Sequence, residues 1–168
     1  LLIIFIPAGD VFAAAYFLVK RFLDNDQKRR EHELKKASLA SLTPLKIQAY
    51  ERVVIFLERI NPNSLVVRVN KPGMSARQLH LDLVLAVKTE YEHNLSQQIY
   101  ISASAWDLVK TAKEEIIKTI NISSSKVRDD APGNELAMAI LSATANLDSK
   151  LPTDIAIAFI KKEVTQTF

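Results

Sequence analysis

Apolar residues follow two different patterns along this chain. Residues 1–19, LLIIFIPAGDVFAAAYFLV, are almost continuously apolar, interrupted by Pro7 and Asp10. From residue 43 onward, apolar residues instead recur every three or four positions, the period of a half-buried helix. Between the two lies KRFLDNDQKRREHELKK (20–36), where acids and bases alternate at helical spacing. A helix rises about 1.5 Å per residue, so one reaching Leu23 covers roughly 30–35 Å, the thickness of a bilayer's hydrocarbon core. The pattern therefore predicts a transmembrane helix over 1–23. A buried core helix or a signal peptide would show a similar run. A signal peptide, however, carries its positive charges ahead of the apolar stretch, and here Lys20 and Arg21 follow it.

The charged stretch is expected to continue the helix as a juxtamembrane neck over 24–42, with Asp26–Arg30 and Glu31–Lys35 as i,i+4 pairs, acid first. The small and hydroxyl residues of 37–42 are expected to break it. Thr43 then reads as an N-cap before Pro44, opening a helix to Ile60 with Ile47, Tyr50, Val54, Leu57 and Ile60 inward. Asn61-Pro62-Asn63 stops that helix.

The β-branched Leu65–Val69 and the segment 95–101 are each compatible with a short strand or a helical turn. Ser75 with Gln78 forms a capping-box pattern ahead of a helix to about Asn94, with Leu79, Leu83, Ala86 and Val87 inward. Ser104 with Asp107 caps a helix from Ala105 to Ile120. These elements make a helical-bundle core over 43–122. Ser123-Ser124-Ser125, Asp129-Asp130 and Pro132-Gly133 predict a flexible linker over 123–133. A C-terminal helical pair over 134–168 follows, its second member opened by Pro152. The expected fold class is mainly all-α, with at most two short strands.

Charge adds an orientation. Lys20, Arg21, Lys28, Arg29, Arg30, Lys35 and Lys36 outnumber Asp24, Asp26, Glu31 and Glu33, so most of the net +3 lies in the neck and the rest of the chain is nearly neutral. Basic residues flanking only the C-terminal end of a span place that end in the cytoplasm. Tyr16 and Phe17 suit the interface, and Lys20 and Arg21 suit contact with lipid headgroups. A nucleic-acid-binding domain would carry its basic charge on the folded body, so that partner is disfavoured. Within the apolar run, Gly9 and Ala13 lie one turn apart beside Asp10. Small residues at that spacing let another helix approach, and an ionisable group in a span usually faces protein or water. Gly9, Asp10 and Ala13 are the candidate docking face for an integral membrane partner. Asp10 reaching the outer interface is the plainer alternative.

Chemistry narrows the picture by exclusion. The chain has no cysteine, which removes disulfides, thiolate metal sites and cysteine nucleophiles. Its 3 glycines form no phosphate-binding loop, and no Gly-x-Ser-x-Gly occurs. Glu90-x-x-His93 has the spacing of a helical di-iron ligand pair but lacks the second such pair. His80 and His93, about 20 Å apart along one helix, do not form a zinc pair. Arg52, Arg59 and Arg68 read as partners of Glu51 or Glu58 before they read as an anion site. Trp106 reads as a core anchor rather than a stacking platform. No catalytic, cofactor or metal residue is assigned, and the chain is not expected to be an enzyme or to take a small-molecule substrate.

Four strings complete the reading: QAYERVVIFLERINPNSLVVRV (48–69), YEHNLSQQIYIS (91–102), AWDLVKTAKEEI (105–116) and FIKKEV (159–164). Together they resemble an uncharacterised family of short, N-terminally membrane-anchored helical proteins from Bacteroidota bacteria, over nearly the whole chain. The resemblance implies an inner-membrane location and names no activity. The expected role is a non-catalytic accessory subunit or adaptor of a larger inner-membrane assembly. The alternative is a tethered domain that recruits a soluble partner such as the ribosome or a chaperone.

Overall fold

The computed structural model describes residues 2–145 and 150–167, with side chains for 16–145 and 150–166. It is helical throughout, with α1 over Leu2–Ile60, α2 over Pro62–Val69, α3 over Ala76–Asn94, α4 over Ala103–Ser124, α5 over Gly133–Ala145 and α6 over Pro152–Thr167. No strand occurs among the described residues; the one β feature is an isolated bridge between Ser75 and Pro132. The described chain divides into two compact units, Leu1–Pro44 and Leu45–Phe168.

The first unit is the leading part of α1, solvent-exposed along nearly all of the length whose side chains are described. Its surface carries Asp26–Arg30 at 3.0 Å and Arg29–Glu33 at 3.1 Å. The expected Glu31–Lys35 pair does not form, and Glu31 instead accepts from Gln27 at 3.5 Å. The expected break over 37–42 is also absent. Ala37, Leu39, Ala40 and Leu42 are good helix formers. The polar residues between them fold back on the helix: Ser41 Oγ donates to the Ser38 carbonyl and Thr43 Oγ1 to the Leu39 carbonyl, both at 2.9 Å. Thr43 is therefore not an N-cap. Pro44 sits inside α1, where it removes one N–H from the helix ladder. No helix among the described residues is long and apolar enough to cross a membrane. The side chains of residues 2–15, which dominate the expected span, lie outside the described ones.

The second unit holds the core. The last turns of α1 bury Ala49, Tyr50, Val53, Phe56, Leu57 and Ile60. This stripe is rotated from the expected one: Ile47 is 46% exposed and Val54 is only partly buried. Asn61 caps α2 through Asn63 N, and Pro62 occupies its first turn. That start signal outweighs the β-branching of Leu65–Val69, which is helical, with Leu65 and Val66 inward. The other ambiguous segment is a 3-10 turn over Leu95–Ile99. Ser75 caps α3 by accepting from Gln78 N at 3.2 Å, and Leu79, Leu83 and Val87 line its inner face while Ala86 is only partly buried. The cap of α4 is Ser102, which accepts from Ala105 N; Ser104 is already in the helix. Trp106, Val109, Ala112, Ile116 and Ile120 face the core from α4, and Leu108 is only partly buried.

The stretch expected to be a flexible linker is largely bonded in place. Residues 123–124 belong to α4. The Ala131 and Asp129 carbonyls accept from Ala76 N at 2.8 Å and Arg77 N at 3.2 Å, and Gly133 N donates to the Met74 carbonyl at 2.8 Å. A Cβ on Gly133 would lie 3.1 Å from both that carbonyl and Asn70 Oδ1, so the two Pro-Gly turns cross closely here and a side chain would require them to shift by a few tenths of an ångström. α5 packs on α3 and α4, and α6 packs chiefly on α4.

Candidate functional site

Lys20 and Arg21 are exposed on α1, and the residues beside them are exposed and apolar. Tyr16 is 58% accessible, Phe17 68%, Leu18 70%, Val19 58%, Phe22 72% and Leu23 59%. Tyr16–Val19 fill a full helical turn with exposed apolar side chains, and Phe22 and Leu23 follow the two bases, so this stretch has no single hydrophobic stripe to lay on a protein core. The side chains of Gly9, Asp10 and Ala13, the candidate docking face, lie outside the described residues.

In the second unit the polar chemistry falls into three clusters. The first joins three helices. The Tyr50 hydroxyl on α1 donates to Glu163 Oε1 on α6 at 2.5 Å, and Ser102 Oγ at the start of α4 donates to Glu163 Oε2 at 2.7 Å. The carboxylate thus lies at the N-terminus of a long helix, where the backbone dipole favours negative charge. Tyr50 is buried, and its hydroxyl is pushed up from 10.0 to about 12, first by burial and then by the hydrogen bond to Glu163 and its charge. Sequence reasoning placed Tyr50 in the core stripe and singled out FIKKEV, but did not connect Glu163 to either. A carboxylate near the end of an amphipathic helix gives no sign of where its acceptors point.

The second cluster uses the glutamate of Glu90-x-x-His93. Arg59 Nη2 approaches Glu90 Oε1 at 2.6 Å and Arg68 Nη1 approaches it at 3.6 Å, while Arg68 also donates to the Arg59 carbonyl at 3.2 Å. These two arginines were expected to pair with Glu51 or Glu58; the fold instead brings α1 and α2 to α3. Two guanidiniums on one half-buried carboxylate hold it as an ion-pair acceptor. No group of three His, Asp or Glu side chains that could hold a metal ion occurs among the described residues. His80 is apart from this cluster, 2.8 Å from Asn121 Oδ1.

The third cluster is aromatic. Trp106 is 7% exposed and stacks on Tyr91 with ring centroids 5.6 Å apart, while Phe56 meets Tyr91 at 6.0 Å and Lys113 Nζ lies 4.5 Å over the Tyr91 ring. The ring of Trp106 is spent on packing, as a core anchor's is, and presents no open face.

Surface concavities complete the inventory. One is an open apolar groove of about 590 Å³ between α1 and α6, floored by Tyr50, Val54, Ile160 and Val164 and edged by Ile47, Glu51, Ile55 and Lys161. A smaller, more enclosed cup lies between the two Pro-Gly turns, where Asn70 Oδ1 is buried without a hydrogen-bond donor among the described residues.

Among protein families, residues 1–167 match the model of a family of unknown function (DUF7935). No curated protein and no solved structure matches the chain.

Proposed function

Because the chain belongs to this uncharacterised family, its role is read from its own residues, and we propose that it is a non-catalytic accessory subunit or adaptor held in a membrane by α1. The observation that carries this reading is the set of exposed apolar side chains, Tyr16–Val19 with Phe22 and Leu23, that flank exposed Lys20 and Arg21 on both sides. Exposed apolar surface of that extent marks an interaction face. Its position at the end of a nearly continuous apolar run fits an acyl region and its interface better than a protein groove. The span is residues 1–23, the membrane is the bacterial inner membrane, and the helical body is cytoplasmic, in keeping with the one-sided basic flank.

The rest of the molecule supports binding over catalysis. Its most engaged polar groups, Glu163 and Glu90, join helices: Glu163 accepts from Tyr50 and Ser102, and Glu90 pairs with Arg59 and Arg68. The partner in this reading is an integral membrane protein, met through Gly9, Asp10 and Ala13 and through the bundle surface; Lys20 and Arg21 meet lipid headgroups. Purification of the full chain in mild detergent tests it. Stoichiometric recovery of integral membrane proteins is the expected result. Recovery of soluble partners alone would favour the alternative, a tethered domain that recruits them.

A further inference from the structure

The walls of the groove between α1 and α6 have a defined register. At one end Asn61 Nδ2 on the α1 side donates to Thr153 Oγ1 at the start of α6, at 3.4 Å. At the other, Tyr50 donates to Glu163. Going from the first contact to the second, α1 is followed backward from 61 to 50 while α6 is followed forward from 153 to 163. The two helices therefore run antiparallel over matched lengths, and Glu51 and Lys161 stand at nearly the same height on opposite walls. Both are exposed, and neither has an ion-pair partner among the described residues. One turn to either side of Glu51, Ile47 and Ile55 are 46% and 49% exposed, and the floor between the walls is apolar.

We propose that a second copy of this chain fills the groove, the two copies being related by a two-fold axis that runs along it. Rotation about an axis parallel to the helices preserves height and exchanges walls. It sets α1 of one copy against α6 of the other, and places Glu51 opposite Lys161 of the second copy, twice per dimer. The result is four-helix packing around a seam of Ile47, Val54, Ile55 and Val164, with both ion pairs at its rim. A foreign amphipathic helix would have to supply a base and an acid at that one height, whereas this chain already carries both. The same symmetry keeps the two copies of the α1 segment that lines the groove parallel, and the dimer does not depend on the rest of α1.

The test uses the full chain in mild detergent, with protein mass measured by light scattering and helicity checked by circular dichroism. The wild type is expected to be dimeric. E51K and K161E, both at exposed positions, should each keep their helicity and weaken the dimer by about tenfold or more, since each places like charges face to face. Mixing the E51K chain with the K161E chain restores opposite charges at both rims and should recover the dimer. A wild type that stays monomeric at high concentration overturns the proposal, as does a dimer that neither charge reversal weakens.

Discussion

At the scale of single residues, Glu163 ties the bundle together. Its two oxygens accept from Tyr50 and Ser102, so one side chain connects α6 to α1 and to the start of α4. The burial and the acceptor that favour the neutral phenol give the molecule an alkaline weakness. With the Tyr50 hydroxyl raised from 10.0 to about 12, the unfolded chain loses this proton first as pH rises. The stabilisation is complete below pH 10 and is lost as pH climbs toward 12, at up to about 1.4 kcal/mol per pH unit. Denaturant unfolding of wild type and Tyr50→Phe across that interval should show a steeper decline in the wild type; parallel curves would mean that Tyr50 is not held in this way. Sequence patterning placed Tyr50 inside but could not supply its acceptor, because Glu163 is brought to it only by the docking of α6. The same holds for Arg59 and Arg68, whose nearest acids in sequence lost to Glu90 of α3.

Elements were more legible than their partners. The Ser75 cap and Pro152 located the starts of α3 and α6, and the three- to four-residue period of apolar positions identified the buried side of α3, whereas Asn61-Pro62-Asn63 was expected only to stop α1 and in fact also opens α2. Where two signals conflicted, the local one was not always the stronger. Asn61-Pro62 made a helix of a β-branched segment, whereas Thr43-Pro44, the same kind of signal, failed to start one. In the second case the hydroxyls of Ser41 and Thr43 bond carbonyls of their own helix, and good helix formers on both sides carry α1 through the proline. Leu57 and Leu83 are fully buried in the core. Replacing either with Ala should cost roughly 2–5 kcal/mol in denaturant unfolding; near-neutral results at both would mean that these faces do not form the core. On the leading part of α1, Gly9→Leu or Asp10→Leu should lower the yield of co-purified membrane partner while leaving membrane insertion intact. Unchanged yield from both variants would leave the helical bundle as the docking surface.

For the whole molecule, function was the least legible part, and the reason is physical. Adaptor surfaces carry no spacing rule comparable to a metal triad or a phosphate loop; they are patches of exposed apolar and charged groups, which sequence records only as composition. The proposed anchor rests on a different kind of signal, the apolar run and its basic flank, since bilayer thickness and charge asymmetry are long-range constraints that act along a chain. They predict the body's side of the membrane: alkaline phosphatase fused after Phe168 should be inactive, and an active fusion would reverse the orientation. The central claim, that α1 holds the protein in a bilayer, is tested most directly by alkaline carbonate extraction of membranes from cells that express the full chain. The account predicts that the protein stays in the membrane pellet with integral proteins, and its release into the supernatant with peripheral ones would contradict it.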